Sequence, residues 1–298
     1  MAAYPLLLLA AVLAASLLQA SSEAPVCYGP RMDGLRSFLE AQYVPEAGLL
    51  RAAVTAYPDN ITIWVASDNL LASRALLVLG SPLAGGVLEA LRSHGGGFDG
   101  VHEVLIGHRI PGVFYEAGEA VLGEVYSHSL GAVLVVKREL HCCRVMEDWS
   151  RYADLVVYRA LDWLLAGDIA EAERLYELLM GMWDGRGFRD AAFDGVYESY
   201  KLALAVYLYR ALAAAGSPLA GEYRGVVEEC CRLLGLLQRS DGGITTHYRV
   251  DDNDAIVAMG DANVETTSIT VLALYSAYPL AAGLRAKLLE LLQEPVYR

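Results

Sequence analysis

The feature that most constrains this chain is an alternation of two kinds of helix. Residues 148–166 carry apolar side chains all round (Tyr152, Leu155, Val156, Val157, Leu161, Leu164 and Leu165), whereas 168–182 gather Glu171, Glu173, Arg174 and Glu177 on one side. A helix that is apolar on every face must be enclosed, and one with a polar face covers it from outside. The same succession recurs at 197–215 and 219–238, and again at 264–277 and 281–293. Nearer the start, Ser67 and Asp68, both good capping types, open a helix over 67–79 that Gly80-Ser81-Pro82 stops. A helix over 83–93 follows and ends at Gly95-Gly96-Gly97. The pattern predicts helical hairpins at 67–93, 148–182, 197–238 and 264–293, and part of a further one near 31–43.

The stretch 98–137 interrupts this rhythm. Its runs Val101-His102-Glu103-Val104-Leu105-Ile106 and Ala132-Val133-Leu134-Val135-Val136 are β-branched and bounded by glycine, so they read as strands of a β-rich excursion. Residues 49–65 also read as extended, with a turn at Pro58-Asp59-Asn60. No Pro- or Ser-rich linker divides the chain, which predicts one domain over 25–298.

The first residues carry a compartment signal. Residues 4–20 are uncharged and dominated by Leu, Ala and Val, and Ala20-Ser21-Ser22 follows as a small-residue cleavage region. Residues 1–22 therefore read as a secretory signal or an uncleaved N-terminal anchor, and the rest of the chain as extracellular or cell-surface. Asn60-Ile61-Thr62 supplies a glycosylation-type triplet. Cys27, the pair Cys142-Cys143 and the pair Cys230-Cys231 fit disulfides between pairs, or from Cys27 to a pair, in an oxidising compartment; the connectivity is not legible. With 23 basic and 36 acidic residues the net charge is −13, which excludes a general nucleic-acid binder, and 55% hydrophobic content excludes disorder. Asn and Gln, at four each, are scarce in the manner of thermophile proteins.

Turns recur between the helices: Gly95-Gly96-Gly97-Phe98, Asp184-Gly185-Arg186-Gly187-Phe188 and Asp241-Gly242-Gly243-Ile244. Two are followed by an aromatic and acidic stretch and then an apolar helix, the last opening Asn263-Val264-Glu265-Thr266-Thr267. Over about 60–293 this rhythm resembles the α/α-toroid proteins, especially the six-hairpin glycosidase-like group, and more distantly the terpenoid-cyclase toroids. The resemblance implies a mainly α fold, an α/α toroid of inner and outer helices, with loops entering the inner helices around a funnel where carbohydrate binds. It carries over no catalytic residue, and Asp251-Asp252-Asn253-Asp254 lacks the Asp-x-Asp-Asp order of terpene cyclases.

Polar residues at the starts of inner helices then become the candidates. Asp68, Asp184 and Glu265 are the acid/base candidates, since glycoside hydrolysis needs two carboxyl groups flanking the bond. Trp64, Asn69, Trp183, Phe188, Tyr197, Tyr200, Asp241, His247, Tyr248 and Asp261 are the expected substrate-binding set, aromatic rings serving as sugar platforms. A polysaccharide lyase would instead use His247 or Tyr248 as base. Glu198 and Lys201 open the helix at 197–215, Lys201 being one of three lysines. Each acid also has a purely structural explanation as a cap, a turn residue or a helix-dipole partner. His94, His102, His108, His128, His141 and His247 show no recognised metal-ligand spacing, so no metal site and no cofactor is expected; the variants are hard-oxygen Ca²⁺ binding near Asp251, Asp252 and Asp254, and a zinc site from the two cysteine pairs with His141, whose spacing matches no standard zinc pattern. The functional expectation is an exported glycoside hydrolase or polysaccharide lyase with carbohydrate as partner. The alternative is a non-catalytic surface scaffold that binds glycan or protein.

Overall fold

Ser199–Ala214 shows why the apolar helices are enclosed. Leu202, Leu204, Val206 and Leu208 are all fully buried, although they point in different directions round the helix. Each contributes about 1.5–3 kcal/mol on leaving water. The computed structural model describes residues 29–276. The expected signal or anchor at 1–22, Cys27 and the outer helix at 281–293 lie outside the described residues.

In chain order the helices are α1 (Met32–Ala41), α2 (Leu70–Val78), α3 (Ala84–Ser93), α4 (Ala153–Ala166), α5 (Ile169–Met180), α6 (Ser199–Ala214), the short α7 (Leu219–Glu222), α8 (Arg224–Leu236) and α9 (Val264–Tyr275). The apolar helices α2, α4, α6 and α9 form the interior: α9 packs against both α2 and α6, and α6 packs against α4. Amphipathic α3, α5 and α8 lie over α2, α4 and α6 in turn. Local chemistry sets the boundaries. Asp168 caps α5 by accepting from Glu171 N at 3.1 Å, and Asn263 caps α9 by accepting from Thr266 N at 2.8 Å. No described helix is long and apolar enough to cross a membrane.

The expectation of an α/α toroid is corrected. The described residues are 47% helix and 22% strand in three sheets, so the fold is α-rich with substantial β parts. The physical reason is that β-branched and aromatic stretches between the helices pair with one another. Strands β1 (Tyr43–Val44) and β2 (Leu49–Leu50) form a small hairpin. Strand β3 (Thr62–Trp64) lies parallel to β5 (Ala132–Val145), which pairs antiparallel with β4 (Tyr115–Ser127) in a long, largely exposed ribbon. Strand β6 (Tyr197–Glu198), β7 (Thr245–Val250) and β8 (Ile256–Ala262) form the third sheet.

Within the excursion, Ala132–Val136 is strand as expected, but the Val101–Ile106 run is not. Asp99 Oδ1 accepts from the backbone N–H of both Val101 and His102 at 2.9 Å, which folds the chain into a 3₁₀ turn over His102–Ile106. The helix expected over 67–79 begins only at Leu70. Its first residues form a π-type turn over Val65–Asn69, and Asp68 does not act as its cap.

Candidate functional site

The π-type turn is the first element of the site. Ser67, a non-glycine residue, has φ +55°, and Ala66 before it is extended. Such a conformation costs about 1–3 kcal/mol and persists only where its surroundings impose it. They do so here through Asn69. Its Nδ2 donates to Leu50 O (2.8 Å) and Trp64 O (2.7 Å), and its Oδ1 accepts from Leu50 N (2.8 Å). On the other side Gly97, with φ +107°, packs so closely that a Cβ there would lie 2.9 Å from Val65 O. The turn presents Asp68 to a cavity of about 400 Å³.

The cavity wall comes from four separate parts of the chain: Ala52, residues 59–68, the β4–β5 ribbon and the start of α9. Among the described residues, five carboxyl side chains line it (Asp59, Asp68, Glu119, Glu139 and Glu265) together with Trp64, and no basic side chain does. Lys137 sits beside it, bonded to Glu119 at 2.9 Å and 5.3 Å from the centre of the Trp64 ring. Asp68 is only 4% exposed and its Oδ2 has no hydrogen-bond partner. Burial first, and then the charges of Glu265, Glu139 and Asp59, push its carboxyl well above the usual carboxylate range. Burial likewise raises Asp59.

Glu265 stands in the first turn of α9 and is 3.2 Å from His102 Nε2. His102 Nδ1 is 2.6 Å from Asp99 Oδ2, so the imidazole links two carboxylates. Burial works against the charge on His102, but Asp99 and Glu265 overcome it and raise the imidazole well above its ordinary value. In turn, against burial, His102 and the two backbone N–H groups hold Asp99 well below the carboxylate range. The His102 ring meets Tyr158 edge-on, with centroids 5.4 Å apart, and burial raises that phenol, so it stays protonated. Next to this array, His141 Nδ1 lies 3.2 Å from Tyr115 O, while its buried Nε2 has no hydrogen-bond partner. Glu139, two residues earlier on the same face of β5, lies 3.5 Å from that Nε2. Burial opposes its ionisation, yet His141 and His102 keep Glu139 below the usual range. Among the described residues, ligand atoms of Asp99, His102, Glu139 and His141 all fall within 4.8 Å of one another, a set able to hold a metal ion.

Of the residues singled out from sequence, Trp64, Asp68 and Glu265 meet in the cavity. Asn69 holds the turn rather than lining it. Asp184 lies elsewhere: it accepts from Tyr197 Oη (2.6 Å) and from the N–H groups of Arg186 and Gly187, and it pairs with Arg189 at 2.8 Å. Trp183 and Phe188 meet edge-on, and Tyr197 stacks on Tyr248, with centroids 5.2 and 5.1 Å apart. Gly187 fits against that stack with no room for a Cβ, so these aromatics pack the 183–188 turn onto the third sheet. Tyr248 Oη donates to Arg186 O, and His247 Nδ1 lies 2.8 Å from Thr246 Oγ1. Tyr200 donates to half-buried Asp154 at 3.1 Å.

Asp241 is exposed; it accepts from Gly243 N and pairs with Arg239. Asp261 is buried where its Oδ2 accepts from the N–H groups of Val54, Thr55 and Ala56 at 2.6–3.1 Å, and its Oδ1 meets Arg239 at 2.7 Å. Asp251, Asp252 and Asp254 occupy the β7–β8 turn. There Asp251 Oδ1 accepts from Asn253 and Ala255 N–H, and Asp254 pairs with Arg186.

Sequence reasoning missed Asp59, Asp99, His102, Glu119, Glu139 and His141 as one neighbourhood. A signal did exist: Glu139-x-His141 in a strand places both side chains on one face, and Asp99-x-x-His102 is the spacing of a local turn. Comparison with protein-family models, with curated proteins and with solved structures finds no match.

Proposed function

We propose that this protein is an exported hydrolase of neutral glycosides, with Asp68 as general acid and Glu265 as its partner carboxylate. One observation carries the reading: buried Asp68, with an unpartnered oxygen, shares a cavity with Glu265 and Trp64. A carboxyl kept protonated near neutral pH can donate to a leaving oxygen, and a second carboxylate nearby can serve as base or nucleophile. Trp64 offers a ring for the apolar face of a sugar. Five carboxylates without a basic side chain in the lining disfavour an anionic glycan. Hydrolysis is preferred to elimination because neither His247 nor Tyr248 lines the cavity, and Tyr248 Oη is committed to Arg186 O. Export is supported by the disulfide-bonded state of Cys231.

The test is release of reducing ends from a panel of neutral and acidic polysaccharides, assayed hot. Release from neutral members should fall by about 10²–10⁴-fold in Asp68→Asn and Glu265→Gln. Release that survives both changes would overturn the assignment to Asp68 and Glu265, and no release from any member would instead favour a glycan- or protein-binding scaffold.

A further inference from the structure

We propose that His102, Glu139 and His141 bind a divalent transition-metal ion of the zinc class beside the cavity, with Asp99 orienting His102. Two imidazoles and a carboxylate are the ligand chemistry such ions select, and three protein ligands leave a fourth position open.

The geometry of each group points the same way. A backbone carbonyl can only accept, so His141 Nδ1 must carry the proton it gives to Tyr115 O. With Nδ1 so engaged, Nε2 is the nitrogen that can offer a lone pair once its own proton is displaced; it is buried, has no hydrogen-bond partner and stands 3.5 Å from Glu139 Oε1. Asp99 plays the corresponding part for His102, engaging Nδ1 at 2.6 Å; Nε2 is then the nitrogen for the ion, which would take the place of the 3.2 Å contact with Glu265 Oε1. Tying down the distal nitrogen by carbonyl or carboxylate is the outer-shell arrangement of metal-binding histidines. The 3.5 Å between His141 Nε2 and Glu139 Oε1 is close to the edge of a tetrahedron of ligands around zinc, about 3.4 Å for bonds of about 2.05 Å.

A second observation comes from the sheet. Glu139 lies directly across from Glu119 in the β4–β5 ladder, a like-charged pairing that destabilises a sheet unless a cation offsets it. Lys137 serves Glu119, and the proposed ion serves Glu139. Buried Asp68, with its unpartnered Oδ2, lines the same cavity as Glu139. This inference does not depend on the hydrolase reading, because its test measures binding and not turnover.

The full chain, stripped with EDTA, is titrated with Zn²⁺ and with Co²⁺ by calorimetry and visible spectroscopy. One equivalent should bind, and the cobalt form should show d–d bands without a thiolate-to-cobalt charge-transfer band. Glu139→Gln and His141→Ala should each weaken binding by more than tenfold, and Asp99→Asn, which leaves all three ligands in place, by about 10–100-fold. If a variant fails to fold, the wild-type chain gives a second readout. In nitrogen-15 histidine spectra, Zn²⁺ should shift Nε2 of His102 and His141 while both Nδ1 stay protonated. Absence of a bound equivalent, a thiolate band, shifts at other histidines, or unchanged affinity in the folded variants would each overturn the assignment.

Discussion

Lys201 is a cation sealed inside the protein, and replacing it tests whether that burial is understood. Its side chain is 4% exposed and reaches Asp190 Oδ2 at 2.5 Å, where the Asp190 side chain is itself 1% exposed; Glu198 also pairs with it. Asp190 further accepts from the N–H groups of Ala153 and Ala192, so it joins the start of α4 to the 190–192 loop. Asp154, raised by burial and pulled down by Lys201, completes the group. Lys201→Met keeps length and volume but strands the Asp190 carboxylate without its cation. Breaking a buried pair from one side costs about 3–5 kcal/mol. For a chain of this size each kcal/mol is worth about 2–4 °C, so Tm should fall by about 6–20 °C. Urea denaturation should show the same loss as a lower midpoint at unchanged slope. Adding Asp190→Asn should restore part of it, with a coupling of about 0.5–3 kcal/mol. A loss below about 1 kcal/mol in Lys201→Met would mean that water reaches the pair, and the argument from burial would fail.

Two further outcomes follow from the site and its support. Because the folded state raises the Asp68 pKa above its unfolded value, the native chain holds that proton more tightly, and stability drops as pH rises from about 4 through the folded pKa. In EDTA-treated protein, Asp68→Asn should therefore have the higher Tm at pH 8 and lose that advantage at pH 4; the same Tm difference at both values would refute a buried, proton-holding Asp68. Gly242 has φ +95°, and a Cβ on it would stand 2.1 Å from Gly34 O in α1. Gly242→Ala should cost at least about 2 kcal/mol in chemical denaturation, and a change within about 0.5 kcal/mol would show that α1 moves aside freely.

The helices were legible because burial writes itself into composition. α4, α6 and α9 are apolar all round, and α5 and α8 carry one polar face, as the sequence pattern required. What the pattern did not carry was pairing. Strand β3 runs parallel to β5 some seventy residues later, Trp64 beside Lys137, and no local periodicity marks a partner at that distance. The toroid expectation failed for the same reason: the stretches 49–65 and 98–137 read as extended, but their pairing into sheets, and the third sheet of β6–β8, did not show. In the site, Asp68, Glu265 and Trp64 were within reach because polar or aromatic residues next to apolar helices stand out. His102 and His141 did not, because each looks solitary until the 3₁₀ turn and the ribbon bring them together. Asp184, Tyr197 and Tyr248 drew notice for the same chemistry that makes them good packing and turn residues.

The β4–β5 ribbon has a consequence for how this protein could change over generations. It lends the cavity Ala117, Gly118, Glu119 and Glu139, yet most of β4 faces solvent and few of its residues enter the core. Solvent-facing positions of β4 can therefore accept new side chains at little cost in stability. What the cavity admits can thus be altered from the Ala117–Glu119 side of the ribbon, while the turn that carries Asp68 and the helix that carries Glu265 stay anchored in the core.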